Sequence, residues 1–255
     1  MLCVAVMIVG WLMVCEYLWT WGPFSSLSDE RFRRLAGNDE QYSLEKVTPL
    51  TNSPIAGMHI CYLGSSVTFG AASLQTSFVE YIAKRNSATY VKEAVSGTTL
   101  VDEEIDSYIS RLKKIDQSTR FDLFVCQLST NDATQNKQLG KVAGKGQAYD
   151  TKTVCGAIEF IISYVRETWD CPVVFYTNSH YESETYASMV AALKEIRQVY
   201  GIGVIDLYTD EAFNDVSEDA YRLYMADNIH PTRAGYLLWW TPKIEEELYA
   251  LVGRN

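Results

Sequence analysis

Short apolar runs alternate with longer stretches of helical spacing along most of this chain. The runs at 58–64, 89–95, 122–129, 172–178 and 203–208 are rich in Val, Ile, Tyr, Phe or Leu and are bounded by polar residues or glycine. That pattern predicts buried strands. Between them, Ile158, Ile161, Ile162 and Val165 recur at helical spacing within 153–168. Met189, Leu193, Ile196 and Tyr200 do the same within 183–200, so each segment predicts a helix with one apolar face. Strands separated by helices imply βαβ crossovers, which predict a parallel sheet with helices on both faces. The expected fold class is therefore α/β, in one domain over 58–255.

Two segments precede that domain. Residues 25–57 are polar and irregular and end in Thr48-Pro49-Leu50-Thr51-Asn52-Ser53-Pro54, which reads as a linker. Residues 1–24 are apolar: no charge interrupts Met1 to Cys15, and Trp19 and Trp21 follow Glu16. A spanning helix needs about 20 largely apolar residues, and tryptophans favour the interface, so this segment is expected to act as a membrane anchor. The alternative is an apolar helix packed on the domain or on a partner, with the protein in the cytoplasm. No Lys or Arg precedes the segment and no small-x-small cleavage site follows it, unlike a secretory signal. Arg31, Arg33 and Arg34 come after it, which favours a cytoplasmic C-terminal domain if it spans; the side of the membrane stays open.

Composition narrows the partners. The 255-residue chain is 47% hydrophobic and 21% charged, with a formal net charge of −10. That charge argues against a nucleic-acid surface, which needs clustered Lys and Arg. Cys3, Cys15, Cys61, Cys126, Cys155 and Cys171 form no CxxC pair and no Cys/His cluster. They are read as reduced thiols, and no metal site is expected.

In an open α/β sheet, chemistry gathers at the carboxyl ends of the strands, beside the topological switch point. Polar residues with catalytic potential stand at three of those ends. Gly64-Ser65-Ser66 follows the first strand, Ser96-Gly97-Thr98-Thr99 the second, and Ser129-Thr130-Asn131-Asp132 the third. A serine ejected at a tight corner, with backbone N–H groups nearby, suits acyl transfer. Near the C-terminus, Asp227-Asn228-Ile229-His230-Pro231 precedes a helix expected to begin around Thr232. An aspartate three residues before a histidine can hold the Nδ1 proton and leave Nε2 to accept one.

In order and spacing these four blocks resemble the SGNH (GDSL-like) hydrolase family, over roughly residues 58–250. The resemblance implies a flavodoxin-like three-layer α/β/α sandwich with a five-stranded parallel sheet ordered 2-1-3-4-5. It also implies a serine esterase or acylhydrolase acting on a small-molecule or glycan ester, with no cofactor. Ser66 would be the nucleophile, His230 the base and acid, and Asp227 its orienting partner. The N–H groups of Ser66 and Gly97 and the Asn131 amide would form the oxyanion hole. Two positions depart from the family pattern: Ser65 stands where an aspartate is expected, and Ser129 where a glycine is expected. Ser65 thus becomes an alternative nucleophile, and a catalytically idle binding domain at a membrane an alternative function. A flavodoxin-like flavin or nucleotide binder fits the fold class but lacks a phosphate loop.

Other residues draw weaker readings. His59 opens the first strand, at the wrong end of the sheet. His180 either lines a pocket wall or punctuates a loop, and Asp132 would anchor its neighbour Asn131. The glycine-containing segment 137–147 suggests a loop bordering the site, with phosphate cradling as a further reading. Tyr181, Tyr186 and Tyr224 are candidates to flank a sugar or acyl group.

Overall fold

The computed structural model describes residues 30–253. The apolar segment 1–24 expected to be a membrane anchor lies outside the described residues. Among the described residues, no helix is long and apolar enough to cross a membrane.

Five strands form one sheet: β1 (His59–Gly64), β2 (Thr89–Ala94), β3 (Leu123–Gln127), β4 (Val173–Tyr176) and β5 (Gly203–Ile205). Every pairing is parallel and the order is β2-β1-β3-β4-β5, as the family resemblance implied. The chain reverses its direction of travel across the sheet between β1 and β3, so the carboxyl ends of those strands flank the switch point.

The central strands β1, β3 and β4 are buried on both faces, their successive side chains entering opposite core clusters. Cys61, Leu63, Phe124, Cys126, Val173 and Phe175 belong to one core cluster. It is covered by α3 (Tyr108–Leu112), α5 (Val154–Trp169) and α6 (Glu184–Tyr200). Ile60, Tyr62, Leu123, Val125, Val174 and Tyr176 face the other way, under α2 (Phe78–Asn86) and the C-terminal helix α7 (Thr241–Val252). The predicted stripes on α5 and α6 are core: Ile158, Ile161, Ile162, Leu193 and Ile196 are all fully buried. The helix starts follow local chemistry. Thr153 and Ser183 cap α5 and α6 by accepting hydrogen bonds from Gly156 N and Tyr186 N, and Ser77 and Glu80 form a capping box on α2.

After helical residues 30–33, the segment expected to be a linker is irregular, with short 3₁₀ turns at Ala36–Asn38, Glu40–Tyr42 and Leu44–Lys46. It packs on the domain. The buried Asn38 amide donates to Phe32 O and Ala72 O, and its oxygen accepts from Arg233 N. Val47 and Ile55 enter the core. A polar run reads as a linker in sequence, but here one buried amide crosses between three parts of the chain.

Cys61, Cys126, Cys155 and Cys171 are free and buried. Burial pushes the thiols up, Cys155 and Cys171 to about 11, so these are inert core groups.

Candidate active site

The corner after β1 begins the site. Gly64 ends the strand, and α1 (Ser66–Phe69) starts at once. A Cβ at Gly64 would lie 1.7 Å from Thr68 Oγ1 and 2.8 Å from Gln127 Oε1, so the turn closes only around glycine. Gln127, at the end of β3, holds it from below: its carbonyl oxygen accepts from Ser65 N (2.9 Å), Thr68 N (3.3 Å) and Thr68 Oγ1 (2.8 Å). Thr68 in turn shares a hydrogen bond with Tyr176 Oη at 2.7 Å. The side chains of β3 and β4 thus fix where Ser66 emerges.

The two corner serines differ in kind. Ser65 is fully buried, and among the described residues its Oγ meets no basic side chain and does not line the cavity. Ser66 is 7% exposed, lines a cavity of about 1010 Å³, and places Oγ 2.8 Å from His230 Nε2. Only the second has both a base and access, so the alternative of attack by Ser65 lacks geometric support.

His230 arrives on a tight hairpin. Ala226 N donates to His230 O, Thr232 N donates to Tyr224 O, and Met225 bridges Pro231 in antiparallel fashion. Within this turn Asp227 Oδ1 accepts from Ile229 N and His230 N, both at 2.8 Å. Its two oxygens also face His230 Nδ1 at 3.0 and 2.9 Å. With a carboxylate against Nδ1, the network assigns the ring proton there and leaves Nε2 to accept from Ser66. Burial opposes ionisation of Asp227, but the His230 ring and the two N–H groups outweigh it and lower the carboxyl to about 2. The helix that follows opens with a π-helical segment, Gly235–Trp240, whose Tyr236 Oη donates to Val67 O at 2.6 Å. That bond ties the histidine-bearing end of the chain to α1.

The second and third blocks face the same cavity, which Gly97, Thr98 and Asn131 also line. Gly97 has φ +82° with nothing within 4 Å of a built Cβ, so its glycine is required by conformation rather than by space. Neither Ser66 N nor Gly97 N donates to another group among the described residues. One Asn131 N–H donates to Thr98 O at 2.9 Å, which orients the amide and leaves its other N–H for the cavity. Ser129 caps α4 (Thr130–Thr134) by accepting from Asn131 N and Asp132 N, so the family-atypical serine supports the asparagine. Asp132, fully buried, accepts from Leu100 N (2.7 Å) and Val101 N (3.2 Å). It pins the second block to the third, and burial raises its carboxyl despite those bonds.

Several weaker readings end elsewhere. His59 stacks on Phe121 and meets Thr89 Oγ1 at the opposite end of the sheet. His180 packs on Tyr208 beside Glu182 and does not line the cavity. Tyr181 and Tyr186 are core residues, and Tyr224 stacks on Trp239. The 137–147 loop does cradle an anion, but it is the chain's own: Ala143 N and Gly144 N donate to the buried Glu159 carboxylate. That internal partner replaces the phosphate reading. Against the expectation of a loop bordering the site, no residue of 137–147 lines the cavity; Lys137 only pairs with Glu103, which does. Gln127 was the residue missed; its signal was an amide inside the otherwise apolar run Leu123-Phe124-Val125-Cys126.

A family model of the GDSL-like lipase/acylhydrolase family matches residues 62–238. A comparison with curated proteins by sequence finds no match. Among solved structures, the fold is similar to a Bacteroides ovatus protein of GDSL-like lipase type, with 17% identity, TM-score 0.57, and coverage of 78% of this chain and 100% of that one. It is also similar to an acetyl xylan esterase, with 14% identity, TM-score 0.53, and coverage of 76% and 100%. A family two carbohydrate esterase from Clostridium thermocellum in complex with cellohexaose gives 16% identity, TM-score 0.56, and coverage of 81% and 66%.

Proposed function

The chain belongs to the GDSL-like lipase/acylhydrolase family and is an esterase of the SGNH type, and from that premise we propose that it cleaves a carboxylic ester through Ser66, His230 and Asp227. The observation that carries the proposal is the unbroken line from Asp227 through His230 to Ser66, with donor–acceptor distances of 2.9 and 2.8 Å. Nε2 takes the Ser66 proton as Oγ attacks the ester carbonyl, and Asp227 stabilises the imidazolium that forms. Negative charge then collects on the former carbonyl oxygen. Ser66 N–H, Gly97 N–H and the free Asn131 N–H are the donors assigned to it. His230 returns its proton to the leaving alcohol, and the acyl-enzyme is released by a water that the same nitrogen activates. No atom of this cycle needs a metal or an organic cofactor.

The favoured substrate is a short acyl ester of a polar alcohol such as a sugar. Ser96, Glu103, Glu104, Asp106 and Asn228 stand among apolar lining residues such as Val95, Ile105 and Ile229 and supply polar partners for such an alcohol, and two structural neighbours are by name an acetyl xylan esterase and a family two carbohydrate esterase. Turnover of acetylated sugars against p-nitrophenyl esters of increasing chain length tests this; a preference for long acyl chains would contradict it. We further propose that residues 1–24 attach the enzyme to a membrane. Co-sedimentation of the full chain, but not of a chain lacking them, with neutral lipid vesicles is the expected result.

A further inference from the structure

Arg111 is a cation buried to 3% exposure beneath the site. Burying a guanidinium is costly unless its donors are used, and here all of its nitrogens are. Nε donates to Asp106 O (3.0 Å) and Nη1 to Glu93 O (2.8 Å), while Nη2 donates to Gly64 O (2.8 Å) and Thr98 Oγ1 (3.0 Å). The nearest carboxylate, Glu93 Oε1, is at 3.5 Å. The Tyr108 ring lies 5.2 Å from the guanidinium carbon.

The two Nη2 acceptors are the informative pair. Gly64 is two residues before Ser66, and Thr98 directly follows Gly97. The same Gly64 carbonyl accepts from Val95 N at 3.3 Å, and Thr98 Oγ1 donates to Val95 O at 2.7 Å. These bonds close a ring around the turn 95–98 that carries Gly97. Nothing lies within 4 Å of a Cβ built on Gly97, so at that residue the turn is held by the hydrogen bonds of its neighbours. Asn131 and Asp132 tie it to the end of β3; Arg111 ties it to the end of β1.

We infer that Arg111 is a positioning residue that sets the spacing between the Ser66 and Gly97 N–H groups. The inference rests on the proposed function, since it assigns those two donors to one oxyanion. A rigid, planar fork can bond two acceptors at fixed separation, which an ammonium on a flexible stem does not do. A donor displaced by a few tenths of an ångström weakens the transition state more than the bound ester.

The test compares wild type, Arg111→Lys, Arg111→Met and Thr98→Val on p-nitrophenyl acetate, with folding checked by circular dichroism. Both Arg111 variants are expected to lose about 10- to 100-fold in kcat with KM within about threefold. The rate of labelling by a fluorophosphonate should fall in parallel, and the acid limb of the pH profile should stay in place. Thr98→Val, which removes one acceptor and leaves the cation with its others, should lose about 3- to 10-fold and decides the matter if Arg111→Met does not fold. Folded variants with wild-type kcat, or a loss lying wholly in KM, would overturn the inference. If wild type neither turns over esters nor labels at Ser66, the proposed function falls and this inference with it. If wild type is active and the folded variants match it, only the role of Arg111 fails.

Discussion

Ser66 Oγ lies 2.8 Å from His230 Nε2 across 164 residues of chain. Two bonds outside the pair maintain that approach: Gln127 holds the corner that ejects the serine, and Tyr236 Oη holds Val67 O from the helix that follows the histidine. If this pair performs proton transfer, Ser66→Ala and His230→Ala should each lower kcat by about four to six orders of magnitude. Circular dichroism should stay native, since neither side chain is a core group.

Asn131→Ala should cost roughly a hundred- to a thousand-fold in kcat if its free N–H meets the oxyanion. The same change releases Thr98 O, so KM should be measured separately. A rise in KM alone would assign the amide to ground-state binding.

Asp227 is lowered to about 2 from an ordinary 3.8, so its folded value lies below its unfolded one. Its stabilising contribution is present above the ordinary value and is lost as pH falls through about 2. The stability gap between wild type and Asp227→Asn, from urea unfolding at stepped pH, should be full near pH 4 to 5 and shrink toward about pH 2. A gap that widened on acidification would reverse the assignment.

Gly64→Ala should destabilise the fold by about 1–3 kcal/mol, because the new methyl would sit on the buried Thr68 side chain. Thermal unfolding reads this directly, and activity should fall with it as the corner moves.

The strands, the two long helices and the four site blocks were legible because each depends on local pattern or on chain position at a strand end. Gln127 and Arg111 were not. A glutamine ending an apolar run and an arginine amid the charged residues of 111–120 look like surface residues until the sheet brings β1, β2 and β3 side by side. The packed character of residues 30–57 was hidden for the same reason, since Asn38 finds Ala72 and Arg233 only in three dimensions. The glycines of 137–147 follow no strand and carry no phosphate-loop pattern, and only the folded chain brings Ala143 N and Gly144 N to the Glu159 carboxylate.

The most direct measurement is covalent labelling of the intact protein with a fluorophosphonate, followed by peptide mapping. One adduct on Ser66, abolished by Ser66→Ala and by His230→Ala and retained by Ser65→Ala, is the predicted result. No adduct, or an adduct that survives Ser66→Ala, would contradict the account.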